Sequence, residues 1–232
     1  MDELVLFDID KTLMKSSGGH RAVFSESFRI VYGIDTTIDI INSSGLTDQR
    51  IIIAVLKKKG LNEQEIMPKI KECMKLMASS FNKVIKNDDA IVLDGVKDLL
   101  EELDRRNILT GLVTGNLELI AEARLKKAGL SRYFKVGAFG SDDIIRSNLV
   151  RLAIRRAEAN FKFKFNNNVF VVGDTPLDIM AGKEAGVKTI GVATGTYSKD
   201  ELKRSGADSV LEDLRDKNKF LAIIDLHNQS IH

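Results

Sequence analysis

Short apolar runs punctuate the chain at intervals. Residues 4–7, 108–113 ("ILTGLV"), 136–139, 169–172 ("VFVV") and 189–193 ("TIGVA") are continuous or nearly so in apolar character. Such runs are expected of strands buried on both faces. Between them lie helical patterns. Residues 95–106 carry Val96, Leu99, Leu100 and Leu103 on one face, and residues 148–160 repeat Leu149, Leu152, Ala153 and Ala157. Residues 117–128 stop at Gly129 and residues 176–185 at Gly186, glycines placed to close a helix. Strands alternating with helices predict an α/β fold, a Rossmann-like parallel sheet flanked by helices.

Residues 15–87 break this rhythm. They hold helical periodicity at 20–32, 47–58 and 67–85 and no convincing strand; Ile70, Met74, Met77, Phe81 and Val84 follow the spacing of one helix face. Pro68 sits where a helix begins or kinks. The expected organisation is an α/β core of residues 1–14 and 88–232 with an inserted helical cap of residues 15–87. Met67, Met74 and Met77 read as cap packing, and Cys73 as an inert member of the same face. "FKFKFNNN" (161–168) reads as a helix exit and loop. The tail after Asp225, with His227 and His232, reads as polar and loosely held.

Composition narrows the classes. With 232 residues, 44% hydrophobic, 29% charged and only 2 prolines, the chain is an ordinary globular one that can bury a large core. A net charge of +2 with scattered basic residues gives no reason to expect nucleic acid. Cys73 is the single cysteine, so no internal disulfide forms and a reducing compartment suits it. The start lacks a basic segment and long apolar stretch, and no run approaches the roughly 20 residues that span a bilayer. The expectation is a soluble, cytoplasmic protein without membrane partners.

In open α/β sheets ligands bind beyond the carboxyl ends of the strands, so the residues after each apolar run carry the chemistry. Asp8 and Asp10 follow the first, Thr114-Gly115-Asn116 the second, and Asp174 and Asp178 the fourth. Alternation along an extended strand points Asp8 and Asp10 to one side, and four carboxylates converge at one rim. Two like charges about 4 Å apart repel by about 4 kcal/mol at an effective dielectric of 20. Protonation or a cation must relieve that, and an all-oxygen cluster suits a hard divalent ion, Mg²⁺ where substrate phosphate completes the shell. Thr114 can donate from its hydroxyl, Gly115 allows close backbone approach, and Asn116 is placed to cap a helix whose N-terminus would favour phosphate. Arg146, just before the 148–160 helix, can supply a permanent positive charge to carboxylates and phosphate. One carboxylate can then act as a nucleophile forming an aspartyl-phosphate, and its neighbour as general acid and base.

"FDIDKTL", "VTGN" and "VVGDTPLDIMAGKEAG" resemble the motifs of the haloacid dehalogenase superfamily, most of all its phosphoglycolate-phosphatase-like branch, over nearly the whole chain. The resemblance implies that Asp8 is the nucleophile, and that Asp10 is the acid/base, its backbone carbonyl on Mg²⁺. It further implies that Thr114 binds the phosphoryl group and that Asp174 holds Mg²⁺, with Asp178 a direct or indirect partner. The helical insertion then corresponds to the family's mobile cap. Two departures stand out: Arg146 occupies the neighbourhood where the family usually has lysine, and Lys11 stands where glycine is common.

The leading expectation is a Mg²⁺-dependent phosphatase acting on a small phosphorylated metabolite, phosphoglycolate-like or a sugar phosphate. A sugar-phosphate mutase of the same fold is the enzymatic rival, since such mutases place a cap histidine about where His20 falls. A dehalogenase would not need Asp10 and Asp174; a phosphonate hydrolase would want a cap lysine at the site; a non-catalytic binding module would not need both Asp8 and Asp10. His20 reads either as a surface histidine or as a cap residue over the site. The stretch 45–50 ("GLTDQR") reads either as a loop touching substrate, with Thr47 and Arg50, or as a plain turn with an N-cap at Thr47 or Asp48.

Overall fold

The apolar runs assemble into one parallel sheet. The computed structural model describes residues 3–15, 17–87, 90–165 and 168–228. Strand β1 (Leu4–Phe7) is followed by helices α1 (Gly18–Tyr32), α2 (Asp48–Lys58), α3 (Glu63–Ile66), α4 (Ile70–Val84) and α5 (Val96–Arg105). Then come β2 (Leu109–Thr114), α6 (Glu118–Ala128), β3 (Val136–Phe139), α7 (Arg146–Asn160), β4 (Val169–Gly173) and α8 (Pro176–Glu184). Strand β5 (Lys188–Val192), α9 (Lys199–Arg204), β6 (Ser209–Leu211) and α10 (Lys217–Asn228) complete the chain order. The sheet order is β3-β2-β1-β4-β5-β6, and every pairing is parallel. Strand β1 is central, paired with β2 on one side and β4 on the other, its Phe7 in register with Leu112 and Val172. Succession along the sheet therefore reverses between β1 and β4, where open α/β sheets bind ligands.

Two apolar clusters cover the sheet's faces. One holds Phe7, Leu99, Leu103, Phe170, Phe220 and Ile224; the other holds Leu4, Leu6, Leu149, Ala153 and Val171. A third lies among α1–α4, built from Phe24, Phe28, Ile52, Val55, Cys73, Met77 and Phe81, and reaches Leu117 and Ile120 beside the core. Helices α1 and α4 pack on one another along their length. Met77 and Cys73 are fully buried there, whereas Met67 is 48% exposed, so Met67 is not part of the cap packing expected of it. Among the described residues no helix is long and apolar enough to cross a membrane.

Several expected bounds shift. The single helix expected at 67–85 is divided: Pro68 lies in a 3₁₀ turn, Met67–Lys69, and α4 starts after it, because proline supplies no amide to an α-helical ladder. Helix α7 starts at Arg146, not at residue 148. Strand β6, α9 and α10 carry no clear periodic signal; β6 is three residues long and half-buried at the sheet edge. The chain after Asp225 continues α10 to Asn228, helical where a loose tail was expected. His232, the end of that tail, and Asn166–Asn167 of the expected loop lie outside the described residues, as do residues 88–89 at the expected cap boundary.

Candidate active site

Beyond the ends of β1, β2 and β4 lies a cavity of about 290 Å³, lined also by residues of α1, of the 43–46 loop and by Asp48 at the start of α2. Asp8 leaves β1 with its N–H still donating to Val172 O at 2.9 Å. Its Oδ1 accepts from Arg146 Nη2 at 2.7 Å, and the same nitrogen lies 2.5 Å from Asp178 Oδ1. Arg146 Nη1 donates to Gly45 O at 3.1 Å, so one guanidinium ties two carboxylates to the loop before α2. This fork-shaped contact is one that the single nitrogen of a lysine would not reproduce.

Asp178 is placed by local sequence. Thr175 precedes Pro176 at the start of α8 and forms a capping box with it: Thr175 N–H and hydroxyl donate to Asp178 Oδ2 at 3.0 and 2.7 Å, and Asp178 N–H donates back at 3.3 Å. One Asp178 oxygen thus caps the helix and the other faces the cluster. Asp174 sits at the end of β4, 3% exposed, under Gly195, where any Cβ would come within 1.8 Å of its Oδ2. Oxygens of Asp8, Asp174 and Asp178 lie within 4.8 Å of one another.

Three buried carboxylates facing one guanidinium leave excess negative charge. Burial, then repulsion from Asp178 and Asp10, outweighs Arg146 and pushes Asp8 from 3.8 to about 7. Burial, then Asp178 and Asp8, pushes Asp174 from 3.8 to about 8. An all-oxygen donor set of this charge fits a hard divalent cation, which would return both carboxyls to their ionised form.

Asp10 is not in that cluster; its carboxylate turns toward β2 and α6. Its Oδ2 accepts from Asn116 Nδ2 at 2.8 Å and Arg124 Nη1 at 3.1 Å, and Arg124 Nη2 lies 2.9 Å from Oδ1. Arg124 also donates to Asn116 Oδ1 and to Lys15 O, both at 2.9 Å. Burial alone would raise Asp10, but the charge and hydrogen bond of Arg124, with help from His20 and Asn116, hold it below its ordinary value. The expected meeting of four carboxylates is therefore a three-plus-one arrangement: Asp10 lines the same cavity, but its carboxylate is held by Asn116 and Arg124 outside the close cluster.

Thr114 and Asn116 differ from expectation. Thr114 is fully buried and does not line the cavity; its hydroxyl accepts from Asn116 N at 3.3 Å and Nδ2 at 3.2 Å. Asn116 does not cap α6. Leu117 takes the capping position without a side-chain bond of its own, and Asp48 from the start of α2 supplies the acceptor, Leu117 N to Asp48 Oδ2 at 2.9 Å. Asp48 N–H donates to Gly115 O at 2.8 Å. Gly115 is needed for that approach, since a Cβ would fall 2.4 Å from Leu46 O.

His20 is not a surface histidine. It is 9% exposed and lines the cavity, its Nε2 3.0 Å from Asp48 Oδ2 and its ring 5.3 Å from that of Phe24. Burial works against its charge, yet Asp48, first by charge and then by hydrogen bond, with Asp10, holds its pKa above the ordinary value. Thr47 caps α2, accepting from Arg50 N at 3.3 Å, and its hydroxyl donates to Ile144 O at 3.3 Å. Arg50 is exposed and borders a separate small cleft with Ile144, Ile145 and Glu184. Neither Thr47 nor Arg50 lines the cavity: the N-terminal turn of α2 directs Asp48 inward and these two sideways. Arg124 and Asp48 are the site residues that sequence reading missed. Lys11 lines the cavity with φ +59°, a left-handed conformation that costs a side chain on the order of 1 kcal/mol relative to glycine.

Known proteins resemble this chain over most of its length. The family model described as "Haloacid dehalogenase-like hydrolase" matches residues 5–192. The chain is 26% identical over 220 residues to pyrophosphatase PpaX of Oceanobacillus iheyensis, covering 91% of this chain and 93% of that protein. It is 23% identical over 220 residues to a phosphoglycolate phosphatase of Pseudomonas fluorescens, covering 93% and 78%. The fold is also that of CbbY from Rhodobacter sphaeroides, solved in complex with phosphate, with a TM-score of 0.72, 22% identity, and coverage of 93% of this chain and 96% of that one.

Proposed function

The chain belongs to the haloacid dehalogenase-like hydrolase family, and from that premise we propose that it is a Mg²⁺-dependent phosphatase that hydrolyses a small phosphorylated metabolite through an aspartyl-phosphate on Asp8. The observation that carries this reading is the division of the carboxylates: Asp8 with Asp174 and Asp178 around Arg146, and Asp10 apart on Arg124 and Asn116. Such environments push two neighbouring acids toward different roles.

An Asp8 oxygen attacks phosphorus, the bond to the leaving oxygen breaks, and that oxygen takes the proton of the Asp10 carboxyl. In the second half Asp10, now a carboxylate, removes a proton from water; the water oxygen attacks phosphorus, and phosphate leaves Asp8 regenerated. Asp10 begins below its ordinary pKa, which suits the second half. A substrate dianion beside it favours the protonated form that the first half requires. Arg146 keeps Asp8 oriented and meets the charge of the incoming phosphoryl group. Asp8, Asp174, Asp178 and the Asp10 carbonyl would hold Mg²⁺, which supplies charge neutralisation to the anionic nucleophile and phosphate when bound. Residues 15–87 act as a lid, its His20 and Asp48 lining the cavity with Asp48 bound to Leu117 N–H, and closure excludes water from the reacting group.

Turnover of p-nitrophenyl phosphate is expected with Mg²⁺, lost in EDTA and restored by Mg²⁺; full activity in the chelator overturns the metal dependence. Phosphoglycolate and pyrophosphate, the substrates in the relatives' names, are the first metabolites to assay. Transfer to a sugar hydroxyl instead of water, seen as an isomerised sugar phosphate without released phosphate, would favour a mutase.

The same carboxylates predict a stability signature. Asp8 and Asp174 have folded values of about 7 and about 8 against 3.8 ordinarily. Their contribution to metal-free stability is thus fully present below about pH 4 and is lost as pH rises through 7–8. A cation that binds the ionised cluster acts in the opposite sense. Mg²⁺ is therefore expected to raise the melting temperature by several degrees at pH 8 and by much less at pH 5. Equal shifts at both pH values in calorimetry would count against these residues as the cation site.

A further inference from the structure

Lys11 departs from local backbone preference inside the cavity. The other described non-glycine residues of positive φ, Ala90 and Asn107, are not cavity residues. Backbone held in such a region at a binding site is a reason to ask what the side chain does there. The peptide is pinned on both sides: Lys11 N–H donates to Met14 O at 2.6 Å, and its carbonyl accepts from the Thr194 hydroxyl. The side chain then reaches the loop after β5, where Nζ donates to Thr196 Oγ1 at 2.9 Å. An ammonium has three donors, and among the described residues no carboxylate lies within ion-pairing distance of this one. The other basic groups lining the cavity each face a carboxylate: Arg146 pairs with Asp8 and Asp178, His20 with Asp48, and Arg21 with Asp39 in an exposed contact.

We propose that Lys11 binds a second anionic group on the leaving part of the substrate, so that the preferred substrate is a phosphate ester or anhydride with two anionic ends. The inference rests on Asp8 as phosphoryl acceptor, which leaves the rest of the cavity to the leaving part. A bare backbone at position 11 would offer that part no charge. The ammonium offers one at the cavity wall, on the peptide that directly follows Asp10. The rival role is to temper the acidic cluster, since the Lys11 charge also reaches Asp174.

Paired kinetics at fixed free Mg²⁺ separate the two roles. Wild type is expected to favour phosphoglycolate, pyrophosphate or both over ethyl phosphate by tenfold or more in kcat/KM. Lys11→Met should shrink that preference at least tenfold, mainly through KM, and Lys11→Arg should recover most of it. Loss confined to phosphoglycolate identifies a carboxylate as the second group, and loss confined to pyrophosphate a phosphate. Equal losses on all three substrates, with a changed Mg²⁺ requirement, overturn the proposal in favour of the cluster role. Binding gives a readout without turnover: 3-phosphonopropionate should bind wild type at least tenfold tighter than propylphosphonate by calorimetry, and Lys11→Met should close the gap. No gap in wild type overturns the inference. A gap without hydrolysis of any ester would leave it standing and count against the phosphatase reading alone.

Discussion

Asp8→Asn is expected to abolish turnover and leave the fold intact. The amide oxygen is a poor nucleophile, and an Asn–phosphate bond has no route to form. Removing a nucleophile in other hydrolases costs a factor on the order of 10⁶, so less than one part in a thousand of wild-type kcat is expected here. Stability should move the other way. Asp8 is one of three clustered buried carboxylates, of which it and Asp178 pair with Arg146, and its ionised form is disfavoured first by burial and then by its neighbours. The amide keeps an acceptor for Arg146 Nη2 and removes one like charge. The metal-free variant should therefore melt no lower than wild type at pH 8. Activity within tenfold of wild type sinks the assignment; loss of activity with a fall in melting temperature of 10 °C or more would mean that the effect was structural.

The rim motifs were legible because β1, β2 and β4 are apolar runs whose ends are sharp. Once the sheet is parallel, Asp8, Thr114 and Asp174 fall at one edge by topology alone. Where their side chains go was not legible. Asp10 is held outside the close cluster by Asn116 and Arg124, and Asn116 serves Asp10 instead of a helix end. Arg124 escaped notice because "ELIAEARLKKAG" looks like a helix with solvated charges. A signal was present: Arg124 lies four residues after Ile120 and three after Ala121, on the stripe that the helix buries. A charge on an apolar stripe needs a buried partner. Asp48 offered less. Thr47 and Asp48 were equal candidates for capping α2, and only the tertiary arrangement gives the cap to Thr47 and sends Asp48 to the N-terminus of α6 and to His20. The 45–50 loop was open to two readings, and the structure divides it: Gly45 and Asp48 meet the site, while Arg50 does not.

Arg124 is the position where that omission has the largest consequence. Its guanidinium is 1% exposed, and the Asp10 carboxylate it holds is 29% exposed. Arg124→Leu fits the apolar surroundings but leaves Asp10 without its cation. Breaking such a buried pair from one side typically costs about 3–5 kcal/mol, and the residual exposure of Asp10 puts the expected loss near the lower end. Arg124→Leu combined with Asp10→Asn removes the orphaned charge, so the double variant should recover at least about 1 kcal/mol of that loss in denaturant titrations. The kinetic consequence has a definite sign. Arg124 opposes burial and keeps Asp10 low; without it the carboxyl titrates higher. If Asp10 is the base that activates water, the ascending limb of the pH–rate profile moves to higher pH in Arg124→Leu, and Arg124→Lys restores part of the shift. A purely structural arginine would lower the rate at every pH and leave the limb in place. An unmoved limb, or a double variant no more stable than Arg124→Leu, would therefore break the link between the buried pair and the chemistry of Asp10.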